Sequence, residues 1–454
     1  TALSGAAYRI RKRDEFIQTV GKLYLKLPQL DDGDGVLVRR LYKDYLRDKN
    51  ITAEEMEKYD AANKIAWNAW MKARKENDFS LFADSLEHRI HLDIERTGHW
   101  DAEAVPGAKC IYDRMLDEYE TGMSTEIFDK LFDECRERIF NIMEKIHDRE
   151  AKVRTDFLNI RVTDAQQTEI TEYLLDLMEF DRSRGAWSLT THPFTDRIGR
   201  NDTRITTNFE PDNFLANIYT VIHECGHALF EQLQPAEDYN HHIEDFKSMG
   251  QHESVSRFYE NIIGRSAAFI HLIYPKICEV FPDVMKDVSE KELYEAVNHV
   301  QPSLIRTDAD ELTYTLHIMI RYELEREMAA GRIHISDLPK LWAEKYEHYL
   351  EIRPADDLTG VLQDVHWTDC LGYFPTYALG NFYGGMYLSK MQEEFDPFES
   401  LSEYGFGKIN SWMKAHVFAK ANRLEPAAWI KDITGRELTA ADYLDYLEKK
   451  YLQD

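Results

Sequence analysis

From Asp14 to about Phe180, apolar and charged residues recur at spacings of three and four with few breakers, the period of helices that bury one face. Thr52-Ala53-Glu54-Glu55 and Ser124-Thr125-Glu126 place a capping hydroxyl ahead of acidic residues and predict helix starts. Asp31-Asp32-Gly33-Asp34-Gly35 predicts a turn, and Val105-Pro106-Gly107 a break between helices. This half reads as a solvated helical bundle without evident chemistry. The pattern changes after Arg182. Residues 186–191 and 204–209 are short, rich in Thr, Ile and aromatics, and separated by Gly and Asp, which predicts a small hairpin or sheet. Helical periodicity resumes near Asn213 and runs, with loops, to Tyr349. From Pro354 to Gly385 five glycines (Gly360, Gly372, Gly380, Gly384, Gly385) predict loops, and the tail from Ser400 is amphipathic helix again. No repeat, low-complexity tract or flexible linker divides the chain. One large fold, mainly α with a small β-sheet, is expected, its helical N-terminal half covering residues 1–180 and its motif-bearing half residues 181–454.

Composition agrees with long helices. Hydrophobic residues are 43% of 454 and aromatics 12%, enough for a large core, while 21 Gly and 13 Pro are too few for an all-β fold with frequent turns. Asp and Glu number 82 against 55 Lys and Arg, a net charge of -27 that repels phosphate backbones and anionic lipid. Nucleic acid and membranes are therefore not expected partners, and the longest apolar runs, such as residues 267–274, are far too short to span a bilayer. Thr1 to Phe16 is rich in Arg and Lys but lacks the apolar centre of a secretory signal. Five widely spaced cysteines (Cys110, Cys135, Cys225, Cys278, Cys370), never in a C-x-x-C pair, point to a reducing, cytoplasmic setting.

His223-Glu224-Cys225-Gly226-His227 matches H-E-x-x-H. On a helix, two histidines four apart share a face and can grip one ion, while the intervening Glu224 leans over water bound to it. Asp212 or Asn213 can cap that helix, and Phe214, Leu215, Ile218, Val221, Ile222, Cys225, Ala228 and Leu229 supply its apolar stripe. Gly226 costs about 1 kcal/mol against Ala in a helix interior, so it predicts a close neighbour or room for substrate. Catalytic zinc takes three protein ligands, and the third sorts the classes. A metzincin would need Gly and His where Phe230 and Leu233 stand. A Glu from the next helix is the other common solution, and Glu253 lies 26 residues beyond His227. His241, His242, Glu244 and His252 are competing ligand types nearby. From Glu253, Arg257 and Glu260 fall on the same helical face, placed to bond the ligands.

Six short motifs in order then resemble the carboxypeptidase Taq family: His192-Pro193-Phe194, Asp202-Thr203-Arg204-Ile205-Thr206, the H-E-x-x-H helix, His252-Glu253-Ser254, Ile305-Arg306-Thr307-Asp308-Ala309 and Gly360-Val361-Leu362-Gln363-Asp364-Val365-His366-Trp367. They cover residues 190 to 370. The resemblance implies a helical fold with a deep active-site groove walled by the small sheet, a homodimer, and removal of single residues from peptide C-termini. It implies His223, His227 and Glu253 as ligands of one divalent ion per chain and Glu224 as the catalytic carboxylate. Zinc is the expected metal, with cobalt or manganese compatible with the same donors. Val255 stands where the family often has Gln, and the chain begins inside the family's N-terminal helical region.

Hydrolysis of an amide on such a centre needs a donor for the developing oxyanion, and His366, Tyr377 and Tyr383 are candidates, the tyrosines in a run whose glycines would let an aromatic loop close over substrate. An exopeptidase also needs a receptor for the substrate's carboxylate, for which a guanidinium is suited: Arg306 is the first candidate and Arg204 the second, each alternatively an anchor for a nearby Asp. The alternatives are a related metal oligopeptidase cutting internal bonds, and a helical protein with a structural metal.

Overall fold

The computed structural model describes residues 2–150 and 152–452. The predicted caps form: Thr52 Oγ1 accepts the Glu55 N–H and Glu55 Oε2 accepts the Thr52 N–H, a reciprocal box opening helix Ala53–Glu76. Asp31 differs from expectation. It accepts the Asp34 N–H and caps helix Asp32–Asp48, so the predicted turn is a helix start, with its glycines inside the first turns. Gly33 is small because the His241 ring lies where a Cβ would be. The break at Val105-Pro106-Gly107 is real, with Gly107 at φ 85.

Helices Ala53–Glu76, Ser80–Gly98, Ile111–Tyr119 and Thr125–Glu150 form the middle of the N-terminal half. They are not a separate bundle. Trp70 Nε1 donates to the Leu362 carbonyl, Arg89 to that of Trp367, and Tyr112 to Glu325, so the N-terminal helices close against the motif-bearing half. One apolar core runs from Ala66 to Tyr451, and a smaller one under the first helices gathers Tyr8, Leu46, Tyr59 and Trp100.

The sheet has three strands, β1 (Gly185–Leu189), β2 (Thr195–Gly199) and β3 (Asp202–Thr207), in the order β1-β3-β2. The predicted pair is parallel, Gly185 opposite Thr203 and Leu189 opposite Thr207, and therefore not a hairpin. Between them in sequence, but on the outer side of β3 in the sheet, comes β2, which the sequence pattern did not reveal, antiparallel to β3 with Thr195 opposite Ile205 and an irregularity between Arg197 and Gly199. Apolar side chains are sparse in β2, so alternation cannot mark it. A second correction concerns the glycine-rich stretch: residues Pro375–Gln392 form a buried helix rather than an aromatic loop. Its glycines are packing surfaces. A Cβ on Gly385 would lie 2.5 Å from the Tyr443 backbone, and one on Gly380 2.9 Å from Glu253 Cγ. None of the described helices is long and apolar enough to cross a membrane, and all five cysteines are free.

Candidate metal centre

Asn213 caps the motif helix Phe214–Leu233 by accepting the Ala216 N–H. His223 and His227, one turn apart, present their rings 4.9 Å apart on one face. Gly226 supplies the predicted close approach: a Cβ there would meet Ser256 Cα at 2.8 Å, so the helix Met249–Arg257 crosses the motif helix almost backbone to backbone. That crossing delivers Glu253. Its Oε2 lies 3.9 Å from His223 Nε2 and 3.6 Å from His227 Nε2, and the three ligand atoms sit within 4.8 Å of one another.

Hydrogen bonds hold two of the three donors in place. His223 Nδ1 is 2.8 Å from Glu260 Oε2, which leaves Nε2 to face the cluster, and Arg257 donates to Glu253 Oε1 at 2.8 Å. Glu260 reaches His223 because the chain continues past Arg257 as a π-helical turn, Phe258–Ile263, a wider winding that re-aims the residues after it. Burial alone would raise the Glu260 carboxyl, yet Arg257 and His223 hold it down at about 2. Burial likewise disfavours the His223 cation, but Glu253 and Glu260 outweigh it and push His223 up to about 9. His227 goes the other way, well below its ordinary value, because burial is joined by the charges of His252 and His223. Two imidazole nitrogens and a carboxylate oxygen, converging and free of protein hydrogen bonds at their facing nitrogens, form the donor set of a catalytic divalent metal. The residues fit such an ion.

Glu224 is buried beside this cluster, and burial raises its carboxyl. Thr195 Oγ1 lies 2.7 Å from Glu224 Oε2. Thr195 follows the His192-Pro193-Phe194 motif. Phe194 and Thr206 bond each other through main chain and hydroxyl, so the first two motifs are one corner of the sheet set over Glu224. The sequence reading missed Thr195 because its strand was not recognised.

Tyr377 lies on the same face as Gly380, one turn away, and so stands beside Glu253. Its hydroxyl is 3.0 Å from His366 Nε2. Burial, followed by the Arg306 charge, pushes His366 down to about 4, so the imidazole is neutral. Arg306 is buried and donates from Nε and Nη2 to Asp364 Oδ1 and from Nη1 to the Tyr314 hydroxyl. Arg321 takes the other oxygen of Asp364, so the carboxylate sits far below the usual range despite its burial. Tyr314 also lies under the Arg257 guanidinium, 3.9 Å from ring centroid to carbon, and joins the Arg306 cluster to the Glu253 cluster.

Two residues read as substrate contacts lie elsewhere. Tyr383 is fully buried and donates to Glu120 Oε1, because its position on the helix turns it away from Tyr377 and into the core. Arg204 alternates with Ile205 on β3 and so points to the opposite sheet face from Thr195, where it pairs in bidentate fashion with Asp202. Of the competing ligands, His241 sits against Asp31 and Asp34 at the surface, and His252 bonds Glu231 while its ring stacks on His227 at 4.4 Å.

The model of the carboxypeptidase Taq (M32) metallopeptidases matches residues 1–451. The chain belongs to this family. Carboxypeptidase 1 of Bacillus subtilis is 37% identical over 451 residues, covering 99% of this chain and 89% of that protein. Thermostable carboxypeptidase 1 of Thermus thermophilus is 37% identical over 92% of the chain and 82% of its own length. The M32 carboxypeptidase from Deinococcus radiodurans superposes with a TM-score of 0.93 at 32% identity, over 99% of this chain and 90% of that one. As an M32 member the chain is a metallocarboxypeptidase that depends on a divalent metal and acts on peptides. Neither an oligopeptidase nor a structural-metal protein finds support among these relatives.

Proposed function

We propose that the chain is one catalytic domain that removes single residues from the free C-termini of peptides of broad sequence, using His223, His227 and Glu253 as ligands of one ion, zinc before cobalt or manganese. The convergence of those three side chains beside Glu224 carries the reading. A divalent ion held there supplies Lewis acidity, which polarises a carbonyl and makes water a nucleophile near neutral pH. Thr195 occupies Glu224 Oε2 and leaves Oε1 to take the proton of the attacking water and carry it to the leaving amine. The raised carboxyl of Glu224 suits that transfer, since it holds a proton more readily than an exposed Glu. Tyr377, with neutral His366 as its partner, donates to the oxyanion. Arg306 receives the substrate carboxylate: three of its five N–H groups are engaged, and Asp364 and Tyr314 fix its plane. The resemblance in motifs supports a homodimer, and five free cysteines support a cytoplasmic setting.

Metal-loaded protein incubated with a free-ended peptide and its C-terminally amidated twin tests this, with products followed by mass and Glu224→Gln as control. Stepwise loss of single residues from the free peptide alone, with a drop of about 10²- to 10⁴-fold in the variant, is the expected result. Internal cleavage of both peptides would overturn it.

A further inference from the structure

Glu120 follows helix Ile111–Tyr119 and is fully buried, yet no cation pairs with it among the described residues. Its carboxylate is instead held by three neutral donors from two other segments: the Ser248 hydroxyl at 2.5 Å and the Gly250 N–H at 2.9 Å on one oxygen, and the Tyr383 hydroxyl at 2.9 Å on the other. Ser248 and Gly250 open the helix Met249–Arg257 that carries Glu253, and Tyr383 lies on the helix Pro375–Gln392 that carries Tyr377. One side chain from the N-terminal half thus clasps the two helices whose side chains meet at the metal centre.

These contacts act on the position of the Glu253 helix. Ser248 Oγ accepts the Gln251 N–H as the helix cap and donates its own proton to Glu120, while Gly250 offers one of the main-chain N–H groups that a first turn leaves without an internal partner. A carboxylate there also faces the positive end of the helix dipole. Glu253 comes three residues, nearly one turn, after Gly250. On the partner helix the spacing runs in parallel: Gly380 rests on Glu253, Tyr383 reaches Glu120, and the Tyr387 hydroxyl meets that of Ser254 at 2.7 Å. Gly250 has no room for a side chain, since a Cβ there would lie 2.9 Å from Glu120 Oε2. The arrangement is costly. Burial pushes the Glu120 carboxyl up to about 7 against the pull of its three donors, and Glu425 adds to the rise. An apolar side chain would fill the space at less cost, so the contribution of the acid lies in geometry.

We infer that Glu120 is a positioning residue for hydrolysis: by joining the start of the Glu253 helix to Tyr383, it fixes where that helix stands along the Tyr377 helix, and so the place of Glu253 relative to the Tyr377 hydroxyl. Glu120 forms no hydrogen bond to a metal ligand or to Tyr377, and it acts through the two helices. A displacement of about 1 Å between reacting groups costs about 10²-fold in rate, so a small slide between these helices is enough to be felt. The inference rests on the roles proposed for Glu253 and Tyr377.

Glu120→Ala, Glu120→Gln and Tyr383→Phe test it, each compared with the parent as the full chain at saturating metal, well below the unfolding temperature. Glu120→Ala is expected to lose about tenfold or more in kcat and in metal affinity, with KM little changed. Glu120→Gln keeps the shape and a carbonyl for Ser248 and Gly250, and restores most of both. Tyr383→Phe keeps the ring and removes only the donor, so kcat falls in the same direction while circular dichroism and unfolding temperature stay near the parent's. A purely structural role would lower the unfolding temperature alone. Parent kcat and metal affinity in Tyr383→Phe, with Glu120→Ala unfolded or altered only in unfolding temperature, would therefore overturn the inference. So would a folded Glu120→Gln as impaired as Glu120→Ala. Both outcomes leave the ligand role of Glu253 standing. Glu253→Ala, run alongside, checks that role: loss of metal supports it, and full metal affinity would remove it and the inference together.

Discussion

Glu260 decides which nitrogen of His223 faces the ligand cluster. Its carboxylate takes Nδ1 at 2.8 Å, so Nδ1 keeps its proton and Nε2 is the nitrogen that a metal would deprotonate and bind. Glu260→Gln keeps the size but weakens that hold, and metal affinity should fall about 10- to 100-fold while the fold persists, as competitive chelation and circular dichroism would report. Tyr377 makes a different kind of test, because its ring packs on Arg306 at 4.9 Å from the guanidinium carbon while only its hydroxyl would serve the reaction. Tyr377→Phe should lower kcat about 10²-fold with little change in KM or in unfolding temperature. An unchanged kcat would remove Tyr377 from the chemistry. At this scale the sequence was most legible where helical spacing defines geometry: His223, Glu224 and His227 follow from one short motif, and Arg257 from its offset to Glu253, whereas the π-helical turn that brings Glu260 to His223 has no such signature. Thr195 and Tyr314 were not legible, since each acts through a fold contact with no local signature.

Helix crossings set the centre's dimensions. Gly226 and Gly380 lie on either side of the Glu253 helix, and both are sites where a methyl group would collide, with Ser256 Cα at 2.8 Å and Glu253 Cγ at 2.9 Å. Gly380→Ala should therefore push Glu253 toward the histidines, cost about 1–3 kcal/mol of stability and weaken metal binding. Gly21→Ala is the control, since its Cβ meets nothing within 4 Å and helix propensity gains about 1 kcal/mol. Unfolding curves and metal titrations of the two variants check the contrast. Five glycines in one stretch predict loops when only backbone freedom is considered. Here three of them serve helix packing instead, a distinction invisible without the partner helix. The same limit hid β2, which is recognisable by its pairing with β3 rather than by alternation.

Across the whole molecule, buried carboxylates without cation partners tie the N-terminal helices to the catalytic segments. Glu325 accepts from Tyr112 on one side and from Trp367 Nε1 and the Gly372 N–H on the other, spanning the segment just after His366. Burial pushes its carboxyl up to about 7, against the pull of those three donors and of Arg89. Its folded value thus lies above the unfolded one of about 4.5, so its stabilising contribution is full below about pH 4.5 and is lost as pH rises through 7. Glu325→Gln cannot titrate, and its stability should decline less steeply than the parent's between pH 4.5 and 7. Urea midpoints across that range measure the difference, and parallel profiles would refute it. The N-terminal half, read as a bundle without chemistry, supplies Tyr112 and Glu120 to the framework behind the site.

The sequence by itself determined the helical class and the motif helix, because periodicity and short spacing are local properties that survive without a fold, and its short motifs carried the resemblance to the family. Tertiary structure alone decided which distant residues meet. It turned Tyr383 into the core and Arg204 onto the outer sheet face, engaged Arg306 with Asp364, and placed Thr195 against Glu224. Those outcomes depend on strand order, helix crossing and side-chain direction, which are set by packing between segments far apart in the chain.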